Sequence, residues 1–565
     1  MNSSRKPSNR HLQRNLSLEI GAFIALNQDI FAELITFVDF AEKFTIGFVE
    51  INFHPDVEIL VEALKTNPEC RDIQFVTLNF SDENLRFLRD EIIKILPTIE
   101  IESHKKLVLI VEGLEKSIGV YGDYPPVLQD LNFVRDAYKR TVPYPILFIL
   151  PDYALTRLAK FAPDFWAWQS GMFRFQTPQI TKDNAINEAQ NTERIIDRLE
   201  PPEKQERIDL LHRLLMEYKP TGHQAVGENL RNCSNILHQL GVAYLSKKEP
   251  IKAREYLEEA EKIAHEFTDS NFYAEVLNTL GDSYRQQRQF DTAIAYYQKS
   301  LSISQQLQNH RGETAALFKL GNAYLELRQF TRATTFYQQC LEIEQQIGDR
   351  YSSASTYHQL GMVAQDLREF EEARRNYQQA LAIDIEFGHR YSSAGTYHNL
   401  GIVAQDLREF EEARRNYQQA LAIKIEFGDR YNQASTYHNL GIVAQNLREF
   451  EEARRNYQQA LAIKIEYGDR YSSASTYHQL GIVAQELREF EEARRNYQQA
   501  LAIFIEFGDR YSQASTYQCL GTLAEAEENY AEARVNLQTA LEIYVEYKDE
   551  YWGAIAREAL ERLPE

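Results

Sequence analysis

Few side chains in this 565-residue chain have a type and spacing suited to chemistry. Glu112 ends the apolar run "LVLIVEG", where an acid could orient a magnesium–nucleotide complex. Such an acid works only beside a phosphate-cradling G-x-x-x-x-G-K-[ST] loop. The first strand-like segment, "TIGFVEINF", instead runs into "HPDVEIL" with no glycine and no lysine. Cys70 with His54 or His104 offers a thiol and an imidazole for nucleophilic attack, but no local motif surrounds them. His358, His398, His438 and His478 recur at 40-residue steps. A shared zinc would need each nitrogen within about 2.0–2.1 Å of the ion, whereas packed helices lie about 8–10 Å apart. No catalytic residue, cofactor site or metal site is predicted, and the chain reads as a non-enzyme.

The histidine spacing leads back to the elements that carry it. "EFEEARRNYQQALAI" begins at Glu369, Glu409, Glu449 and Glu489 without one substitution, and a Leu-Gly pair keeps the same step from Leu240-Gly241 to Leu520-Gly521. Eight units of 40 residues therefore run from about Val226, and a fixed period of this size marks stacked supersecondary units. Within residues 352–390, Tyr357, Leu360, Gly361 and Ala364 recur at steps of three and four, as do Phe370, Ala373, Tyr377 and Ala380. That spacing predicts two amphipathic helices, A from about Ser353 to Leu367 and B from about Phe370 to Phe387, with Gly388 closing the second. Gly361 and Ala373 are expected to let the helices approach beside Tyr357 and Tyr377. One hairpin buries too little apolar surface to stand alone, so the units must stack.

The pattern aromatic-x-x-Leu-Gly-x-x-Ala, then Ala-x-x-x-Tyr-x-x-Ala, resembles the tetratricopeptide repeat (TPR). The 40-residue period with helix B ending in "FGDR" or "YGDR" is most similar to the longer repeats of kinesin light chains and Pins-type adaptors. The resemblance covers Val226 to about Asp549 and implies a right-handed superhelix whose concave groove, lined mainly by helix A, takes a peptide or helix of another protein. The groove positions are His358, His398, His438 and His478; Met362, Ile402, Ile442 and Ile482; and Gln365, Gln405, Gln445 and Gln485. The TPRs that clamp acidic chaperone tails carry Lys and Asn at the first two positions, which this chain lacks. A second reading of the histidines is plain packing between repeats. Identity at Arg374, Arg375, Asn376, Gln378 and Gln379 reads as recent duplication. The variable sets Asp384, Lys424, Lys464, Phe504 and Asp366, Asp406, Asn446, Glu486 are expected to be exposed. "WGAIAREALERL" reads as a closing helix over the last repeat.

The first 190 residues lack the period. Strand-like "TIGFVEINF", "DIQFVTLNF", "KLVLIVEG" and "YPILFIL" alternate with the helix-like segments "NQDIFAELITFVDFAEKF", "DVEILVEALK", "NLRFLRDEIIKIL", "LNFVRDAYKR" and "YALTRLAKF". Strands of near-continuous apolar residues between helices predict a parallel α/β sheet, with "MFRFQT" at an edge. This order, with "LVLIVEGLEKS" and "PILFILPDYALTRLAKFAPDFWAW" ahead of the repeats, resembles over Phe31–Phe175 the NTPase-like domain of bacterial, notably cyanobacterial, TPR proteins related to STAND signalling ATPases. Without a Walker A loop it is expected to be degenerate.

The expected organisation is a disordered tail 1–16, the α/β domain 17–180, a proline-broken helical connector 181–224, eight repeats over 225–550 and a capping helix 551–565. Net charge is −21 with no basic face, which argues against nucleic acid. No apolar run approaches the roughly 18 residues of a membrane span. Cys70, Cys233, Cys340 and Cys519 are isolated, as in a reducing cytosol. The sequence therefore predicts a cytoplasmic adaptor whose N-terminal domain is a second interaction or self-association surface. The alternative is a STAND-like sensor with a nucleotide-dependent switch.

Overall fold

The computed structural model describes residues 19–119, 124–193, 201–218, 228–266 and 270–564, with 196 and 199. The expected tail 1–16 and the break at Pro220-Thr221-Gly222 lie outside the described residues. Two compact units divide the chain, Met1–Lys299 and Ser300–Glu565.

In the first unit, β1 (Ile46–Glu50), β2 (Ile73–Asn79), β3 (Lys106–Glu112), β4 (Ile146–Leu150) and β5 (Gln169–Arg174) form a parallel sheet in the order β2-β3-β4-β1-β5. The "MFRFQT" segment supplies an edge strand, as its sequence implied. Alternate residues feed two cores: Phe48, Leu109, Val111 and Phe148 on one face, Val49, Val108, Ile110 and Ile149 on the other. Helices Pro126–Thr141 and Asp152–Phe161 cover the first face, and Gln28–Phe40 and His54–Thr66 the second. The apolar strands are thus buried on both sides, which is why they read as continuous runs. The helix expected from Asn84 begins only at Leu88, because the Asp82 carboxylate accepts the Asn84 N–H at 2.9 Å and holds a turn there. The helix expected from Leu131 begins earlier, with Pro126 in its first turn. Phe165 of "APDFW" is fully buried against Phe48 and Phe148, a packing role.

The connector helix Pro201–Tyr218 is packed against the first helix pair. His212 Nε2 lies 3.3 Å from the Tyr244 hydroxyl, and Lys247 Nζ donates to Gln205 Oε1 at 2.7 Å. Among the described residues eight helix pairs follow, from Glu228–Ser246 with Pro250–Glu266 to Arg510–Ala526 with Tyr530–Glu546, and Glu550–Arg562 closes the chain. From Ser270 to Glu546 every helix has 17 residues and every described turn three, which is the origin of the 40-residue step.

Both turns are Schellman closures. After helix A, Glu369 N–H donates to Ala364 O and Arg368 N–H to Gln365 O; after helix B, His389 and Gly388 do the same to Asp384 and Ile385. The left-handed residue is Gly388 in the second turn but Arg368 in the first, at φ +61°. Asp349 then starts the next helix by accepting the Ser352 N–H at 3.1 Å, so helix A begins at Arg350, three residues ahead of the sequence reading.

Gly361 is required by an aromatic ring: a Cβ there would sit 2.6 Å from Tyr377 Cε1. The same clash recurs at Gly281, Gly321, Gly401, Gly441 and Gly481, while Gly241 and Gly521 meet leucines. Each small core, such as Ala364, Ala373 and Tyr377 with Leu400 and Val403, draws on two successive repeats. No single described helix is long and apolar enough to cross a membrane.

Candidate functional site

Within the second unit, the four junctions from helix Arg350–Asp366 to helix Arg510–Ala526 are each organised around a histidine, and the junction before them carries Phe318 at that position. Asn399 Nδ2 donates to His358 Nε2 at 3.3 Å, which leaves the proton of the neutral ring on Nδ1, 3.1 Å from Thr396 Oγ1. The ring stands edge-on to Tyr377, 5.3 Å between centroids. His398 repeats the arrangement with Asn439, Thr436 and Tyr417. His438 faces Thr476 and Tyr457, and His478 faces Thr516 and Tyr497. Burial pushes His398, His438 and His478 down to about 4, and His358 in the same direction; Lys424 and Lys464 add to the shift at His398 and His438. At neutral pH these rings are uncharged and committed to hydrogen bonds inside the junctions.

The glutamines of the same face are engaged as well. The Tyr377 hydroxyl donates to Gln365 Oε1 at 3.0 Å, and Gln405, Gln445 and Gln485 receive Tyr417, Tyr457 and Tyr497. Of the twelve residues singled out from sequence, Met362, Ile402, Ile442 and Ile482 are the apolar ones, each half-buried beside its junction core. They stand between half-exposed Gln359, Asn399, Asn439 and Gln479 and exposed Asp366, Asp406, Asn446 and Glu486. Residues 359, 399 and 439 escaped the sequence reading, although their spacing from the Leu-Gly pair could have located them.

One expectation is corrected. Asp384, Lys424, Lys464 and Phe504 are not exposed: each is 5–8% accessible, between helix B and the next helix A. Lys424 Nζ donates to Thr436 Oγ1 at 2.8 Å and Asn432 O at 3.1 Å, and Lys464 repeats this with Thr476 and Ser472. Burial lowers both ammonium groups to about 8. Position 424 lies seven residues past Tyr417, on the same helical face, so the period outranks variation between copies as a guide to burial.

The identical block also has a partial structural account. Arg374 pairs with Glu409 of the next repeat, Arg414 with Glu449 and Arg454 with Glu489, and Arg494 meets Glu527 and Glu532. Arg375 pairs with Glu372 on its own helix. Gln378 and Gln379 are exposed, and nothing in the structure explains their constancy.

In the first unit, polar groups gather beyond the carboxyl end of β1, the usual ligand position of an open α/β sheet. Glu217, from the connector helix, fills it. Its Oε1 accepts from Asn52 Nδ2 at 2.6 Å and Thr177 Oγ1 at 2.7 Å, and its Oε2 lies 3.0 Å from Lys182 Nζ. Asn52 Oδ1 accepts the Asp152 N–H at 3.0 Å. Only Ile51, Asn52 and Phe53 separate β1 from the next helix. Glu112 accepts from Asn79 Nδ2 at 3.1 Å. Asp56 is buried, with one oxygen held by Thr181 at 2.8 Å and the other unbonded, and burial raises it to about 6. Cys70 is buried, and burial pushes its thiol up. Among the described residues no group of three His, Cys, Asp or Glu side chains has the arrangement of a metal site.

The family model described as tetratricopeptide repeat matches residues 232–306, 313–386, 392–466 and 472–546, and a second repeat model of the same description matches 278–346. The chain belongs to the tetratricopeptide repeat family. Its architecture is a parallel five-stranded sheet followed by an all-α TPR array. No curated protein matches the chain. Similar solved structures include BtubC from P. vanneervenii, 24% identical over 39% of this chain and 92% of that one, TM-score 0.36. The quorum sensor NprR from B. thuringiensis is 15% identical over 65% and 99%, TM-score 0.45. A STAND protein with a tetratricopeptide repeat sensor from Pyrococcus horikoshii is 11% identical over 94% and 95%, TM-score 0.40.

Proposed function

We propose that this tetratricopeptide protein is a non-enzymatic, cytoplasmic adaptor whose A-helix face, between Met362 and Gln485, binds a peptide or helix of another protein. The observation that carries the reading is the recurrence of one half-buried apolar side chain, Met362, Ile402, Ile442 or Ile482, at the same place in four successive repeats, flanked by amide and acidic side chains. An apolar anchor with a polar rim is the composition that binds polypeptide. The histidines and Gln365, Gln405, Gln445 and Gln485 hold that face in shape. Residues 17–180 act as a second interaction or self-association surface, and the repeats of 225–550 as the binding array.

Support for a non-catalytic role comes from the groups that chemistry would need. A nucleophilic cysteine must reach its thiolate, and burial opposes that at Cys70. The place above β1 holds the Glu217 carboxylate, itself an anion, on an amide, a hydroxyl and an ammonium donor.

The test uses the full chain carrying Ile402→Gln, Ile442→Gln and Ile482→Gln together. Proteins retained from a lysate of the native cell by the unmodified chain are expected to be lost, with far-UV circular dichroism unchanged. Equal retention by the triple variant overturns the assignment of this face. Mg-ATP or ADP is expected to move the melting temperature by less than about 1 °C, the response of a chain with no nucleotide site. A shift of several degrees that Glu112→Ala abolishes would establish the nucleotide-switched sensor instead.

A further inference from the structure

The arginine–glutamate links of the array cover its last four junctions, and at the junction before them the acid is present without the arginine. Reading backwards from Arg414–Glu449 and Arg374–Glu409, the next acid is Glu369 and the next arginine position is residue 334, which is a threonine. The Thr334 hydroxyl donates to Phe330 O of its own helix at 3.0 Å and makes no link across the junction. Glu369 gives no side-chain cap to the helix it precedes. Among the described residues its neighbouring acids are served: Glu372 pairs with Arg375, and Glu371 lies 3.8 Å from Arg374.

A cavity of 780 Å³ opens at this junction, floored by Leu341, Leu360, Val363 and Phe370, with Thr334 and Glu369 among its lining. Its thirteen lining residues have counterparts forty residues on, at the junction that Arg374 closes, and twelve of the thirteen are the same amino acid there. The single difference is Thr334 against Arg374. The counterparts at the two following junctions agree with Arg374 in the same way, through Arg414 and Arg454. Three copies of this surface therefore hold a guanidinium against the glutamate, with the arginine side chain about a fifth exposed. The fourth copy keeps the acid and the apolar floor without the arginine.

We infer that this cavity is a binding site for an arginine side chain of a partner polypeptide, whose guanidinium takes the place of the missing intramolecular one on Glu369 while its methylene stem covers Leu341 and Phe370. A guanidinium fits because its planar donors pair with a carboxylate and its stem packs on apolar surface. The three sister junctions supply the geometry. The site is separate from the A-helix face: none of the residues assigned to that face lines the cavity.

The test is fluorescence anisotropy on the full chain with a labelled Gly-Leu-Arg-Leu-Gly peptide, and with the same peptide carrying citrulline, which keeps the shape and loses the charge. Binding of the arginine peptide is expected, at least about tenfold tighter than the citrulline form, since a hydrogen bond to a charged group is involved. It should weaken at high salt. Glu369→Gln should abolish the preference. Thr334→Arg should build the missing link, abolish binding and leave the melting temperature equal or higher. The inference is overturned if the peptide does not bind at millimolar concentration, if citrulline binds equally, or if both variants bind like the unmodified chain. Because Ile402, Ile442 and Ile482 are left untouched, these outcomes are separable from those that test the A-helix face.

Discussion

The sheet and the repeat array treat a buried polar group in opposite ways. Beyond β1, Asn52, Asp56, Thr177, Thr181 and Glu217 meet from distant parts of the sequence, and each has one set of partners. In the array the same buried place is filled eight times over, by Ala264, Ser304, Glu344, Asp384, Lys424, Lys464, Phe504 and Tyr544. A site assembled from long-range contacts is seen only once. A site copied by duplication displays its own tolerance, and here it accepts an acid, a base or an aromatic ring as long as the face stays buried.

The strongest way to break that contrast is to change what the copies never vary. Gly441→Val puts carbon where the Tyr457 ring already lies, with a Cβ only 2.5 Å from Tyr457 Cε1. Overpacking of this kind is expected to cost about 3 kcal/mol, read as a lower urea midpoint by circular dichroism.

Next in size is the sheet's own misfit. The folded state holds Asp56 at about 6 against an ordinary 3.8, so its protonated form is favoured on folding. That contribution is fully present below about 3.8 and is lost as pH rises through about 6, leaving a charged, half-satisfied carboxylate at neutral pH. Asp56→Asn is therefore expected to stabilise the protein by about 1–3 kcal/mol at pH 7.5 and to give no gain near pH 3.5, measured by urea titration at both pH values.

A smaller effect is expected at Lys424, whose folded value is lowered from 10.5 to about 8 by burial. The cost of charging it is fully present below about 8 and disappears as pH rises towards 10.5. Lys424→Met should raise stability by about 1 kcal/mol at pH 7, with the gain shrinking by pH 10. Phe504 already shows that an apolar side chain fits this place. If Lys424→Met instead destabilises at pH 7, the hydrogen bonds to Thr436 and Asn432 outweigh the burial cost, and the tolerance argument fails.

The smallest change concerns the turn after helix A. Arg448 sits at φ +61°, a conformation glycine adopts freely. Arg448→Gly should stabilise by about 0.5–1 kcal/mol, visible as a small rise in melting temperature. The same change at Gly428, already a glycine in the alternate turn, is not available, which makes the two turn types an internal control.

Much of the fold was legible because it is local. The Leu-Gly step located the repeats, and Gly388 located a helix end. All five strands announced themselves by apolar runs. What stayed hidden has two causes. At Lys424 and Asp384 variation between copies suggested exposure, although three-and-four spacing from Tyr417 and Tyr377 puts them inside. The meeting of Asn52 with Glu217 joins residues 165 apart, and no local pattern in either segment signals it. For the candidate site, periodicity picked out one face of helix A, but the part each residue plays on it depended on side-chain partners. His358 and Gln365, expected on the ligand-binding face, also make hydrogen bonds to Asn399, Thr396 and Tyr377 that no sequence pattern signals.

The uniform count of 17 residues per helix and three per turn has a consequence for the gene as much as for the protein. Excising residues 390–429 would bring Asp384 opposite Thr436 and Arg374 opposite Glu449, so every severed pairing finds a ready substitute. Unequal crossing-over between near-identical stretches could therefore lengthen or shorten the array by whole units without an unfolded intermediate product, while the cavity between Thr334 and Glu369, encoded once, would pass through every such event unaltered.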